Sequence, residues 1–380
     1  MKRTNLFLNL FFGFIIKIYA IIKGQRIIKN CKISGPAIIL SNHTSFYDFI
    51  YTHAAMYPRR ISYLAAKKMF YEPITGFFLR LARAIPKSLM QADASATLNV
   101  FRILRKKGII SIFPEGQISP SGRSLKPAFS IAKLLKKAGV NVYVVKHMGA
   151  GLVNPPWSKK SFKGKIETVK ELIISKESLE SMDIKDIYDI VCEKLFYSQS
   201  EDNSIKKYRY KLNDISNLEN VIYQCPSCKH EGLISQKSKL ICPNCNNTLA
   251  YDVFGRLENQ GIDELFQRQE ERVRKEIDEF PDYVFAAKTK LMSFRNKLLV
   301  VVGEGELVIK NFEYIYTGTI DDELKELRFK AGVIPSLPSD IGRNIQIYEG
   351  GQIYQFEMEN KWMPTRMVHI GEYLYHLCNK

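Results

Sequence analysis

Two short apolar runs in this 380-residue chain each end on a polar turn, and those two turns constrain the fold most. Ala37-Ile38-Ile39-Leu40 leads directly into Asn42-His43-Thr44-Ser45-Phe46-Tyr47-Asp48, and Ile109 to Phe113 leads into Pro114-Glu115-Gly116. A short, largely apolar run reads as a strand buried on both faces, and Val140 to Val145 repeats the pattern. Between the runs, Ala94 to Lys107 and Pro127 to Lys137 carry helical periodicity with basic outer faces. Strands alternating with helices predict an α/β sheet with helices packed on it. In such sheets reactive polar groups gather where strands end, so both turns are placed to line one edge.

His43 and Asp48 are separated by five positions, an advance of about 500° on a helix, so one continuous helix cannot present both on one face. They meet only if His43 lies in the turn and Asp48 reaches back from the first helical turn, near Phe46. Asp48 then accepts from one imidazole nitrogen and leaves the other as a base. Ser45-Phe46-Tyr47-Asp48 is also a capping box, in which Asp48 needs no catalytic role. A Pro-Glu-Gly turn closing a strand offers the Glu115 carboxylate and the bare amides around Gly116 to a polar head group. His53, His147, His369 and His376 have no motif neighbours and read as structural side chains.

The Asn-His-then-Asp run and Phe113-Pro-Glu-Gly116, in that order and at that distance, resemble the glycerolipid acyltransferase family, typified by enzymes that acylate lysophosphatidic acid. The resemblance covers roughly residues 30 to 200. It implies an acyltransferase-type mixed sheet with flanking helices, and His43 as general base for an acceptor hydroxyl with Asp48 orienting it. It also implies one-step transfer from an acyl-CoA or acyl-carrier-protein thioester to a lysophospholipid, in phospholipid biosynthesis. Glu115 and Gly116 would position the acceptor. Lys87 stands where the family's second block ends in arginine, and Val142 to Lys146 before Gly149 and Gly151 loosely matches the fourth. One departure matters: Gln117-Ile118-Ser119 follows the Pro-Glu-Gly turn where the family has Thr-Arg-Ser. With Ile118 at the arginine position, Lys87 and Arg123 are the nearest candidates for an acceptor phosphate, and a phosphate-free acceptor stays open.

Charge agrees with an anionic partner. Residues 1–165 hold 28 Lys/Arg against 4 Asp/Glu, whereas residues 166–380 hold 28 against 35. Leu6 to Ile22 is almost wholly apolar, interrupted by Asn9 and Lys17 and flanked by Lys2, Arg3, Lys23, Arg26 and Lys29. As a helix it would be about 26 Å long, just under the ~30 Å hydrocarbon core. That fits a monotopic helix in an anionic interface on the cytoplasmic face; a single span with Lys17 snorkelling is the alternative. A cleaved secretory signal fits less well, because no clean small-x-small site follows.

Seven cysteines fit a reducing compartment and metal binding better than a disulfide framework. Cys225-Pro-Ser-Cys228 and Cys242-Pro-Asn-Cys245, thirteen residues apart, read as a zinc ribbon with one closed, structural Zn²⁺. Leu233 to Ile241 would supply its strands; His230 is an unneeded fifth candidate. Ile262 to Phe280 reads as a charged helix, and residues 282 to 380 as a small, mostly β domain with a hairpin turn at Tyr348-Glu-Gly-Gly-Gln352. The expected organisation is a membrane-associated helix at 1–28, an acyltransferase domain at 29–215, the ribbon at 216–255, a connecting helix at 256–281 and the β domain at 282–380. A ribbon can also mark a nucleic-acid or ribosome-associated protein. The charge map argues against that class, because the ribbon and everything after it are near neutral or acidic.

Overall fold

A computed structural model of the chain describes residues 4–88, 93–280, 282–296 and 298–380; Lys2 and Arg3 lie outside the described residues. It resolves into two compact units, residues 1–212 with 253–256, and residues 213–252 with 257–380.

The first unit is built on seven strands: β1 (Gln25–Lys29), β2 (Ala37–Leu40), β3 (Ile61–Ala66), β4 (Ile85–Lys87), β5 (Ile109–Ile112), β6 (Asn141–Met148) and β7 (Ile166–Ile174). Its helices are α1 (Leu6–Ile22), α2 (Asp48–Met56), α3 (Pro73–Leu81), α4 (Ala94–Arg105), α5 (Ser130–Ala138), α6 (Ala150–Val153), α7 (Lys176–Ser181), α8 (Ile184–Leu195) and α9 (Gln199–Lys206). The strand order is β1-β7-β6-β2-β5-β3-β4. From β6 to β4 neighbours run parallel, whereas β7 opposes β6. This is the mixed α/β sheet expected. β2 and β5 are buried at all four positions, because alternate side chains serve different layers. Ile38, Leu40, Ile110 and Ile112 pack with α4, α5 and α8, while Ala37, Ile39 and Ile109 join Ala55 and Met56 of α2.

α1 inverts the usual pattern of a surface helix. Its buried residues are Asn9, Gly13 and Ala20, and Phe7, Phe11, Phe14, Ile15, Ile18 and Ile22 are exposed. Gly13 lets α1 approach α2: a Cβ there would stand 2.8 Å from the Tyr57 ring. The Asn9 amide donates to Pro58 O at 3.0 Å, which fixes the antiparallel pairing of the two helices. Among the described residues no helix is long and apolar enough to cross a membrane.

The second unit begins with β8 (Ile234–Gln236), β9 (Lys239–Ile241) and β10 (Thr248–Ala250), followed by the short pair β11 (Arg256–Leu257) and β12 (Gln260–Gly261). Helix α10 (Ile262–Glu279) leads to β13 (Phe285–Arg295), β14 (Leu298–Lys310), β15 (Glu313–Ile320), β16 (Glu323–Lys330), β17 (Ser339–Asp340), β18 (Asn344–Glu349) and β19 (Gln352–Met358). These seven form an antiparallel sheet in the order β16-β15-β14-β13-β19-β18-β17. Gly350 and Gly351 make the β18–β19 turn with φ of 56° and 79°. The chain then closes on α11 (Met363–Cys378), which the β reading of this region did not anticipate. Met367, Ile370 and Leu374 of α11 recur at helical spacing and enter the core with Val273, Ile277, Ile345 and Phe356.

The cysteine-bearing segment is fastened to α10 and α11 by polar contacts. Gln269 accepts from Tyr223 N (2.8 Å) and Gln224 N (2.9 Å) and donates to Val221 O (3.0 Å). Arg272 donates to Cys225 O and Pro226 O, and Tyr223 stacks on Trp362 at 5.5 Å. Gln269→Ala strands two buried N–H donors, each worth about 1–3 kcal/mol when unmet. It should speed amide hydrogen exchange across residues 221–226 and lower the stability of this unit by roughly 2–4 kcal/mol. Unchanged exchange in that segment would refute the contact's role.

Candidate active site

The site grows from the ends of β2 and β5. Ser41 N extends their ladder by donating to Ile112 O at 3.1 Å. The next residue, Asn42, is fully buried and turns its amide onto β6: Nδ2 donates to His147 O (2.9 Å) and Oδ1 accepts from His147 N (2.8 Å). His147 is itself buried, with Nε2 2.8 Å from Thr52 Oγ1 and Nδ1 3.0 Å from Thr168 Oγ1. Burial pushes its pKa down to about 4, so the ring is neutral near pH 7 and serves as a structural link.

His43 follows with its backbone held from both sides. Its N–H donates to Glu115 Oε1 (2.9 Å), and its carbonyl accepts from Ser119 N (2.8 Å). Its ring stacks on Phe113, centroids 4.4 Å apart. Nδ1 lies 3.1 Å from Asp48 Oδ2, and that oxygen also accepts from Thr44 N (2.7 Å) and Ser45 N (2.8 Å). With two fixed N–H donors already on the carboxylate, Nδ1 takes the donor role and Nε2 keeps its lone pair. The side chain of His43 is 19% exposed and that of Asp48 is 0%, so the base opens outward and its partner is sealed.

Helix α2 begins at Asp48, two residues later than expected, with His43 in the preceding turn. The capping reading is half realised: Ser45 N reaches the Asp48 carboxylate, but Ser45 Oγ accepts from Tyr47 N. The same aspartate therefore ends the turn and orients the imidazole.

Glu115 is 7% exposed, and both its oxygens are occupied by backbone donors, His43 N on Oε1 and Leu125 N on Oε2, each at 2.9 Å. Burial chiefly drives its carboxyl up to about 8, with Asp48 adding to the rise and the two N–H donors opposing it. It was expected to meet a head group; here it clamps the loop after β5 to the loop after β2. Gly116 has φ of 76°, and nothing lies within 4 Å of where its Cβ would stand. The glycine meets a backbone need and leaves open space beside the turn.

The two candidate cations are not brought together. Lys87 ends β4, two strands beyond β5 at the same sheet edge, and donates to Ser88 O at 3.1 Å. Burial lowers its pKa while Asp93 opposes the shift. Arg123 lies on the β6 side: Ser124 N meets Tyr197 O, and Tyr197 Oη accepts from Gly149 N. The Arg123 guanidinium pairs with Glu201 at 3.0 Å and lies over the Phe196 ring at 4.9 Å. Ile118 leaves no cation at the motif position. Gln199 is a buried packing residue that sequence reasoning missed. Its side chain fills the space that a Cβ on Gly122 or Gly151 would need, and only the two glycines hinted at so close an approach.

The four cysteines converge in the second unit, their sulfurs all within 4.8 Å of one another. Cys225 and Cys245 Sγ are 3.7 Å apart, and Cys228 and Cys242 Sγ 3.5 Å. Four thiolates about 2.3 Å from one tetrahedral ion would stand about 3.8 Å apart, so the donor set fits a metal. The knuckles fold alike. Lys229 N and Asn246 N return to Cys225 O and Cys242 O, and Cys225 N and Cys242 N donate to His230 O and Asn247 O. Lys229 and Asn246 both take positive φ, 64° and 56°. Asn244 adds an N–H···S contact of 3.6 Å to Cys228.

Residues 21–147 match the family model described as Acyltransferase. No curated protein matches the sequence. Among solved structures, the chain is similar to the 1-acyl-sn-glycerophosphate (LPA) acyltransferase PlsC of Thermotoga maritima, at 18% identity and a TM-score of 0.41. That match covers 50% of this chain and 78% of the other. The family match runs from the end of α1 to the penultimate residue of β6 and encloses His43, Asp48 and Glu115. Over residues 21–147 the chain therefore carries an acyltransferase-family domain.

Proposed function

We propose that the first unit moves a fatty acyl group from an acyl-CoA or acyl-carrier-protein thioester to the hydroxyl of a lysophospholipid, with 1-acylglycerol-3-phosphate as the favoured acceptor. The observation that carries this reading is the His43–Asp48 pair, its imidazole partly exposed and its backbone locked by Glu115. His43 Nε2 accepts the acceptor's hydroxyl proton as the oxygen bonds to the thioester carbonyl carbon. Asp48 stabilises the imidazolium that forms. When the tetrahedral intermediate collapses, the C–S bond breaks and the imidazolium returns its proton to the departing thiolate. No acyl-enzyme is required, because the acceptor oxygen is itself the nucleophile.

His43→Ala should lower transfer by about 10²–10⁴. Asp48→Asn should keep the fold and a fraction of the rate. Release of free thiol from an acyl-CoA, followed by absorbance, measures both. A His43→Ala protein that folds normally and retains most of its activity would remove His43 from the chemistry.

The inverted face of α1 supports a monotopic seat in an anionic, cytoplasmic-face membrane, with Ile74, Phe77 and Phe78 of α3 as further exposed apolar contacts. One assay tests acceptor and membrane together: lyso-acceptors with and without phosphate, presented in vesicles or in detergent. Removing residues 1–25 should depress the vesicle rate more than the detergent rate, and Lys87→Ala should raise KM for the phosphate-bearing acceptor. Equal rates in both presentations would dismiss the anchor. Preference for a phosphate-free acceptor would move the protein to another acceptor class with the same base.

Zinc is the ion we assign to the four cysteines, in a closed structural site with no part in transfer. Purified protein should contain one zinc per chain, lost in Cys225→Ser or Cys242→Ser. Elemental analysis finding no metal, or iron with visible absorbance, would overturn the assignment.

A further inference from the structure

The edge of the first sheet opposite His43 carries a concentration of positive charge. Two adjoining cavities lie there, where β2, β3 and β5 begin and α2 ends. The first, about 270 Å³, lies between the Asn30–Ile33 segment and the C-terminal end of α2, and its lining includes Lys32, Arg59 and Lys170. The second, about 540 Å³, shares Pro58 and Arg59 with the first and adds Arg60 and Lys107. No carboxylate lines either one.

Lys170 is the most informative of these cations. It rises from β7, is only 9% exposed, and its ammonium donates to Ala55 O at 3.0 Å. That carbonyl, near the negative end of α2, engages one of three ammonium donors. Burial lowers its pKa, the nearby Cys31 thiol opposes the shift, and Arg59 reinforces it. Arg59, Lys32 and Lys107 are exposed side chains at the rims, and Arg60 reaches Thr4 O at the start of α1. Pockets for drug-sized ligands span about 300–1,000 Å³, so the first cavity suits a compact charged group and not an acyl chain. A tetrahedral dianion has enough acceptors for the remaining Lys170 donors and the rim cations together.

We propose that these cavities form a phosphate-binding site, distinct from the acyl-transfer centre and on the opposite sheet edge. The phosphate belongs either to an anionic lipid headgroup, reached because Leu6 of α1 lines the second cavity, or to a soluble ligand. The proposal does not depend on the catalytic reading.

Cys31 lines the first cavity and reports occupancy. Its alkylation by iodoacetamide in the full chain, followed by peptide mass spectrometry, is measured with inorganic phosphate, with phosphatidylglycerol vesicles and with phosphatidylcholine vesicles. Phosphate at ten times its dissociation constant should slow alkylation about tenfold. Arg59→Ala, at an exposed position, should abolish that protection without shifting the melting transition; Lys170→Met should abolish it too, with some loss of stability because Ala55 O loses its donor. Protection by phosphatidylglycerol vesicles but not by free phosphate or phosphatidylcholine would identify a lipid headgroup. Protection by free phosphate alone would identify a soluble ligand. If no probe protects Cys31, or if Arg59→Ala leaves protection intact, the site does not exist and the cations only complement the end of α2.

Discussion

A buried carboxyl whose two oxygens each meet a backbone donor holds the catalytic edge together. Glu115 receives one N–H from His43 and one from Leu125, joining segments that the sequence separates by 72 residues on one side and 10 on the other. Burial raises the pKa of this carboxyl to about 8, so near pH 7 it is largely neutral, and its oxygens keep their two amide donors only while both loops stay in place. Asn42 makes a similar double connection to the backbone of β6. β2, β5 and β6 are thus tied at their C-terminal ends, and the His43 ring is aimed as a by-product of where its backbone is held. The base does not exist as a local motif; it appears when the central sheet has assembled.

That dependence decides what was legible in the sequence. Leu6 to Ile22 announced a helix with those limits, because an uninterrupted apolar run carries its own ends. Ala37 to Leu40 was equally plain, since a strand buried on both faces needs no partner to be recognised. Helical pitch said only that His43 and Asp48 could meet if the histidine lay in the turn before the helix, where it is found. The role of Glu115 was not legible, because both its donors are main-chain groups that any residue would supply. Arg123 looked available until its guanidinium was found on Glu201, 78 residues away. Helix α11 was missed despite its spacing of Met367, Ile370 and Leu374, because neighbouring β alternation and the polar His369 and Glu372 masked it. His369 is buried beside Phe266 and Tyr223, a structural side chain.

The cysteine segment in the second unit is no freely hinged finger. Gln269 and Arg272 of α10 hold its main chain, and Arg366 of α11 pairs with both Glu231 and Glu276. If the four cysteines hold a metal, its loss would free four thiols and also release a segment on which two helices have placed buried polar groups. Each such group is costly once unpaired, so metal binding and the packing of α10 and α11 are energetically one quantity.

The acceptor question turns on Ile118. Its loop is pinned by Ser119 N on His43 O and by Leu125 N on Glu115, so no shift of the loop carries a distant cation into that position without loosening the base. A phosphate would have to be met by side chains that reach. The Arg123–Glu201 pair is 30% and 59% exposed, and exposed pairs of this kind are worth only about 0–1 kcal/mol. A charge-assisted bond to a phosphate is worth about 1.5–3 kcal/mol, so exchanging Glu201 for a substrate phosphate is downhill wherever the arginine can reach. Lys87 approaches from the opposite flank, half-buried, its charged form disfavoured by its surroundings, and a dianion beside it would reverse that penalty. An acceptor phosphate at this site would have to be met without the single bidentate arginine of the family motif.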